Sequence, residues 1–253
     1  MEMERKKCSI LFDVPYQYCP GTGCTHNVLT RILGEIIEEL GIRDRTILIG
    51  PVGCGEVIIE YLDVDAIGAP HGRALSVATG VKRALPDRVV ITYQGDGDFA
   101  AIGLAETLQT ALRGEQVSTI WVNNGVYAMT GGQMSLTTLV GQKTTTTPVE
   151  GRSTELTGDP IQVSEILANI KGSYFITREA VNTRPNMEKC RNAIKKCVTL
   201  QMEGHGFNAV EVLGICPTNW KMSPKEANRR LAQEVMNQYP LGVLKGMGEG
   251  GER

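Results

Sequence analysis

Apolar positions along the chain fall into two kinds of run. Short β-branched and aromatic stretches at 46–50, 64–67, 89–93, 117–122 and 209–213 have the length and composition of buried strands. Between them apolar residues recur three and four apart. Val28, Ile32, Ile36 and Leu40 share one helical face, as do Leu104, Leu108, Ala111 and Leu112. The spacing predicts helices near 25–40, 72–85, 101–113, 162–170, 186–202 and 223–237. Thr25 is placed to cap the first, Gly41 and Gly114 to stop two of them, and Pro224 after Ser223 to open the last. Alternating strands and helices predict an α/β fold with a doubly wound, mostly parallel sheet. The whole chain, 1–253, reads as one domain, with an N-terminal extension at 1–15 and a flexible Gly-rich tail at 246–253.

The polar positions that interrupt this pattern cluster at strand ends. The run at 89–93 leads into Gln94-Gly95-Asp96-Gly97-Asp98, and the run at 117–122 leads into Asn123-Asn124. In a parallel sheet both turns emerge at the carboxyl edge, where open α/β folds place ligands. Gly95 and Gly97 allow close backbone approach. Asp96 offers a hard anionic oxygen and the Asn pair offers neutral ones, a set that suits Mg²⁺ completed by phosphate oxygens. The following helix N-terminus favours a diphosphate. His71, in Ala69-Pro70-His71-Gly72-Arg73, follows another strand end. A lone histidine is more often structural, but this position gives it weight as a catalytic or cofactor-binding residue. His26 reads as a neighbour of Cys24 or a capping residue, and His205, between two glycines, as a surface residue.

Seven cysteines complete the candidate chemistry. Cys19, Cys24, Cys54 and Cys216 fall in Gly- or Pro-rich turns, which suits a 4Fe–4S cluster and equally a four-cysteine zinc site. Cys190 and Cys197, seven apart in a helix, read as packing residues. Cys8 has no assigned role. The charged N-terminus lacks the apolar core of a signal peptide, so reduced thiols and a cytoplasmic location are expected. A hydrophobic content of 42% supports a large core, and a net charge of −2 leaves no footprint for nucleic acid or an anionic membrane.

Tyr18-Cys19-Pro20-Gly21, Pro51-Val52-Gly53-Cys54, His71-Gly72-Arg73, Gln94-Gly95-Asp96-Gly97-Asp98 and the stretch from Asn123-Asn124-Gly125-Val126 through Met129-Thr130-Gly131-Gly132-Gln133, with Gly141-Gln142-Lys143, resemble the β subunit of 2-oxoacid:ferredoxin oxidoreductases. The resemblance spans roughly residues 16–245 and is strongest to β chains of the 2-oxoisovalerate and 2-oxoglutarate types. It implies an enzyme that oxidatively decarboxylates a 2-oxoacid with CoA, giving acyl-CoA, CO₂ and reduced ferredoxin. It further implies thiamine diphosphate with Mg²⁺ on Asp96, Asn124 and the Val126 carbonyl. Gly97 and Asp98 would meet the diphosphate, while Gly53, Cys54, Gly55, Gly95, His71, Asn123, Ala128 and Met129 would line the cofactor. Cys19, Cys24, Cys54 and Cys216 would hold the 4Fe–4S cluster.

The resemblance also implies an α subunit carrying the pyrimidine-binding domain, possible γ and δ subunits, and ferredoxin as acceptor. One departure stands out: the family's first cysteine pair is spaced C-x₂-C, whereas Pro20, Gly21, Thr22 and Gly23 separate Cys19 from Cys24 here. After Cys54-Gly55 the chain carries Glu56, Val57, Ile58 and Ile59, with no Lys or Arg for a second carboxylate. If these residues face the substrate, a branched-chain 2-oxoacid is expected ahead of 2-oxoglutarate; otherwise they are helix core. A non-oxidative thiamine-diphosphate decarboxylase or synthase subunit would share the Asp and Asn motifs without needing four loop cysteines. A scaffold subunit would have no physical need for Asp96.

Overall fold

The computed structural model describes residues 8–12, 18 and 23–246. The first half contains α1 (Thr25–Leu40), β1 (Thr46–Pro51), β2 (Asp65–Ala69), α2 (Ala74–Ala84), β3 (Val89–Gly95), a wide π-turn (Gly97–Ile102), α3 (Leu104–Arg113) and β4 (Ser118–Asn123). A small antiparallel pair, β5 (Val126–Tyr127) and β6 (Gln133–Met134), follows. Then come α4 (Thr154–Thr157), α5 (Val163–Ala168), β7 (Ser173–Ala180), α6 (Arg184–Met202) and β8 (Phe207–Leu213). The remaining described elements are α7 (Pro217–Trp220), α8 (Pro224–Arg230) with a π-turn (Leu231–Val235), α9 (Met236–Gln238) and β9 (Gly242–Lys245).

Seven strands form one sheet in the order β2-β1-β3-β4-β8-β7-β9, and all neighbours are parallel except β7 and β9. Every residue of β1, β4 and β8 is buried, as expected of strands covered on both faces. Alternate side chains feed two cores. Leu48, Ile91 and Tyr93 meet the α1/α6 side, with Ile36, Ile37, Cys190 and Cys197. Ile49 and Val90 meet the α2/α3/α5 side, with Leu75, Ala78, Ala111 and Leu167. A third cluster at the carboxyl edge packs Leu231, Val235 and Tyr239 against Val126, Leu213 and Ile215.

The expected helices and strands are present, with four differences. Thr25 does not cap α1; Cys24 occupies that position and Thr25 Oγ1 instead accepts from Ile215 N at 2.9 Å, tying the start of α1 to the loop after β8. The helix expected from 101 begins at Gly97 as a π-turn, closed by Gly103 N to Asp98 O at 2.8 Å. Strands β7 and β9 were not expected. Residues 8–12 pack on the domain: Cys8 and Ile10 are buried in the α1/α6 core and Leu11 bridges Leu62. Ser223 forms the capping box with Glu226, with Pro224 opening α8 as expected.

Candidate active site

Chain order reverses at β1, which lies between β2 and β3 in the sheet. A crevice opens at such a reversal outside the carboxyl ends of the strands. The loops after β1, β2, β3 and β4 deliver Gly53 and Cys54, His71, Gly95 to Asp98, and Asn124 to one cleft. Val126, Ala128 and Met129 form its opposite lip.

Asp96 is the buried anion of this cleft, 2% exposed. Its Oδ2 accepts from Ser135 Oγ at 2.6 Å and from Thr137 Oγ1. These partners are neutral hydroxyls, and burial raises its carboxyl pKa to about 6. A buried carboxylate with hydroxyl partners lacks the compensating charge that such a site normally requires. A small divalent cation would supply it. Asn124 sits across the cleft, its backbone carbonyl held by Trp220 Nε1 at 3.0 Å and its Oδ1 accepting from Val126 N at 3.1 Å. One carboxylate, one amide and a neighbouring carbonyl match the oxygen-rich shell Mg²⁺ prefers.

Asp98 plays a different part. Its Oδ1 accepts from His71 Nδ1 at 2.7 Å and from Gly72 N, and its Oδ2 accepts from Gln94 Nε2 at 2.5 Å. Burial pushes its carboxyl up, against the pull of these donors. His71 lies edge-on to Tyr127, ring centroids 6.1 Å apart. Tyr127 in turn covers Gly97, donating its hydroxyl to the Gly97 carbonyl at 3.3 Å. The turns carrying His71 and Asp98 approach glycine to glycine. A β-carbon on Gly103 would fall 2.7 Å from Gly72 O, and one on Gly72 would fall 2.8 Å from Gly103 N. Only glycines allow that spacing.

Two expected cofactor residues lie elsewhere. Gly55 is packed under β3, where a β-carbon would meet Tyr93 O at 2.7 Å. Asn123 turns into the sheet, donating Nδ2 to Glu211 Oε1 at 2.8 Å, inside a buried network that includes Arg178 and Ser164. The aliphatic run after Gly55 is also structural: Ile58 is fully buried in the α1/α6 core and Ile59 packs against it. These residues do not line the cleft, so they give no information on substrate.

Sequence reasoning gave His26 only a supporting place, yet it lines the cleft. Its Nδ1 shares a hydrogen bond with Tyr93 Oη at 2.8 Å, and its ring stacks on Tyr18 at 5.1 Å. Burial holds its imidazole down to about 4, hence neutral. Cys54 lines the cleft with His26, and Cys24 is the N-cap residue of α1, two positions before His26. Cys216 Sγ accepts from Asn219 Nδ2 at 3.2 Å. Cys19 lies outside the described residues. Among the described residues, no three His, Cys, Asp or Glu side chains converge as a metal-binding group. The described cysteines alone therefore do not form a cluster cradle. His205, expected at the surface, stacks on Tyr174 at 4.1 Å. Among the described residues no helix is long and apolar enough to cross a membrane.

Residues 56–212 match the family described as thiamine pyrophosphate enzyme, C-terminal TPP binding domain. Over 224 residues the chain is 44% identical to a protein named ketoisovalerate oxidoreductase subunit VorA, from Methanothermobacter thermautotrophicus; this covers 88% of the chain but 46% of VorA. The chain thus spans about half the length of that relative. It is 30% identical over 220 residues to the 2-oxoglutarate synthase subunit KorB of Archaeoglobus fulgidus, covering 87% of the chain and 77% of KorB. The same fold occurs in the 2-oxoglutarate:ferredoxin oxidoreductase from Magnetococcus marinus, with a TM-score of 0.78 and 24% identity over 98% of this chain and 88% of that one. With the thiamine-pyrophosphate domain spanning most of its sheet and its match to KorB extending over most of both chains, the protein belongs to the 2-oxoacid:ferredoxin oxidoreductase subunits that bind thiamine diphosphate.

Proposed function

We propose that the chain is the diphosphate-binding subunit of an enzyme that oxidatively decarboxylates a branched-chain 2-oxoacid, passing the acyl group to CoA and electrons to ferredoxin. The observation that carries this reading is Asp96: a buried carboxylate held by hydroxyls, at the strand-order reversal, opposite Asn124. Asp96, Asn124 and the Val126 carbonyl would hold Mg²⁺. Bound thiamine diphosphate supplies the carbanion chemistry that releases CO₂ from the 2-oxoacid. Gly95 and Gly97 leave room for close backbone approach, and His71 presents a polar group to the cleft. Val52 and Met129, both about half exposed, form an apolar mouth.

Substrate choice follows from the cleft lining. Its described residues include no Lys or Arg. A second carboxylate would therefore enter without a cationic partner, which disfavours a dicarboxylate. The names of the relatives agree in direction, with ketoisovalerate oxidoreductase at 44% identity and 2-oxoglutarate synthase at 30%. The electron exit would be a 4Fe–4S cluster on Cys19, Cys24, Cys54 and Cys216. An α subunit with the pyrimidine-binding half completes the site, with further γ and δ chains possible, in the cytoplasm.

A second reading, a thiamine-diphosphate decarboxylase or synthase without a cluster, is favoured by one observation: four residues, not two, separate Cys19 from Cys24. Anaerobic co-purification with the α partner separates the two. The first reading expects about four irons and four sulfides per αβ unit, lost in Cys54→Ala and reduced when 2-oxoisovalerate and CoA are added. Zinc or no metal, with CO₂ still released from the 2-oxoacid, would select the second. Faster turnover of 2-oxoglutarate than 2-oxoisovalerate would overturn the substrate assignment.

A further inference from the structure

We propose that Asp98, backed by Gln94, is a positioning residue that fixes the His71 ring with Nε2 towards the cleft, and is not a ligand of the diphosphate. The inference rests on the thiamine-diphosphate reading above, because it assigns a role within that site.

The argument begins with acceptor capacity. An ionised carboxylate only accepts hydrogen bonds. Asp98 is 3% exposed, and both its oxygens already carry protein donors: His71 Nδ1 and Gly72 N on Oδ1, and Gln94 Nε2 on Oδ2. A phosphate oxygen is also an acceptor and an anion, so against Asp98 it would gain no donor and would be repelled. Any diphosphate contact from this turn falls to its backbone N–H groups.

Gln94 is fixed from behind. Its Oε1 accepts from Thr92 Oγ1 at 3.0 Å, and Thr92 Oγ1 lies 3.1 Å from Thr119 Oγ1 on the next strand. With the amide oxygen so engaged, the amide nitrogen is the atom presented to Asp98. A hydrogen-bonded line thus runs from the interior of β4 through β3 to the cleft: Thr119, Thr92, Gln94, Asp98, His71.

The end of that line is a ring with one defined free nitrogen. Because Asp98 accepts, His71 Nδ1 carries the proton, which leaves Nε2 as the nitrogen available to a ligand. The His71 side chain is 30% exposed, against 3% for Asp98. Tyr127 bounds the ring edge-on at 6.1 Å, and the Gly72–Gly103 approach fixes the spacing of the two turns. In that form Nε2 carries the lone pair, so it is preset to take a proton or a hydrogen bond from a donor on the bound cofactor or substrate.

The chain contains three histidines, so ¹⁵N-histidine labelling of the full chain resolves the His71 tautomer directly. Wild type is expected in the Nδ1–H form. Asp98→Asn is expected to lose that form. With the α partner present, it should lower kcat about 10- to 100-fold, the usual effect of removing an outer orienting group. The Kd for thiamine diphosphate and KM for the 2-oxoacid should stay within about twofold, since neither ligand loses a contact. His71→Gln should cost as much, and the double variant no more. If Asp98→Asn does not fold, Gln94→Met, which removes one donor and keeps the carboxylate, should give a smaller kcat loss in the same pattern. A change in cofactor Kd of more than about tenfold with the His71 tautomer intact would overturn the inference and make Asp98 a ligand; so would unchanged kcat. Wild type that fails to bind thiamine diphosphate would sink the parent reading instead, while the tautomer measurement still reports the Asp98–His71 link.

Discussion

The α-carbon of Gly97 lies directly against the ring of Tyr127, so close that a β-carbon at this position would overlap the ring's Cδ1 and Cε1. The contact makes the turn and the lip of the cleft one surface. Gly97→Ala must displace Tyr127 or shift the turn, an overpacking that costs about 1–3 kcal/mol. We expect thermal unfolding to fall by several degrees and thiamine-diphosphate affinity to drop at least about tenfold. The further substitution Tyr127→Ala should restore part of the stability. Isothermal titration and a melting curve test both; an unchanged Kd in Gly97→Ala would refute the coupling.

Asp96 gives an opposite pair of expectations with and without metal. In the metal-free chain, Asp96→Asn removes an uncompensated buried charge and keeps the side chain's shape, and the Ser135 and Thr137 hydroxyls can rotate to accept from the new amide. It should leave stability unchanged or raise it by about 1–2 kcal/mol. With Mg²⁺ and thiamine diphosphate, the wild type should gain stability by mass action, whereas the variant should gain little. Chemical denaturation in EDTA and in saturating Mg²⁺ with cofactor reads the difference. Equal gains in the two proteins would remove Asp96 from the cation site.

Cys190 and Cys197 are fully buried, and burial pushes the Cys197 thiol up to about 12 and Cys190 in the same direction. A thiol raised in the folded state keeps its proton there while the unfolded chain loses it. Its contribution is therefore intact below the unfolded value near 9 and drains away as pH rises towards 12. For Cys197 the loss approaches roughly 4 kcal/mol at the far end of that window. Urea midpoints should fall steeply between pH 9 and 11, and less so in Cys197→Ala. A pH-independent midpoint over that range would contradict the burial argument.

The strands that frame the cleft were legible because parallel strands covered on both faces are written as unbroken apolar runs, as in Ile47-Leu48-Ile49 and Val89-Val90-Ile91. Strand β7 carries Thr177, Arg178 and Glu179, polar residues that interrupt the apolar run of a buried strand. Arg178 is in fact 1% exposed, its charge met by Glu211 at 2.8 Å and Glu165 at 2.7 Å. Those partners lie 33 and 13 residues away, beyond any local pattern. The wide π-turn was missed because Gly95-Asp96-Gly97-Asp98 reads as a loop, although Gly103 N to Asp98 O closes it and Gly72 packs directly against it.

Asp96, Asn124, His71 and Cys54 stood out by residue type and position at strand ends, and Gly53 by the family resemblance; all five line the cleft. Ser135 and Thr137 did not stand out, since their link to Asp96 crosses about forty residues. The hydroxyl-rich run Ser135-Leu136-Thr137-Thr138 was the available signal. Asn123 was misassigned because alternation along β4 sends it into the sheet, where Glu211 receives it. Asn124, one position on and beyond the strand end, reaches the ligand side.

Tyr239 donates its hydroxyl to the Thr137 carbonyl at 3.0 Å, and Thr137 holds Asp96. The brace on the buried anion thus comes from a residue more than a hundred positions downstream of the loop it supports. During synthesis, β1, β3 and β4 can emerge and pair long before that brace exists. The surroundings of Asp96 are therefore completed late, once residues through 239 have left the ribosome and docked. Until then a nascent chain presents a sheet whose carboxyl edge lacks the support that Tyr239 gives the Thr137 backbone.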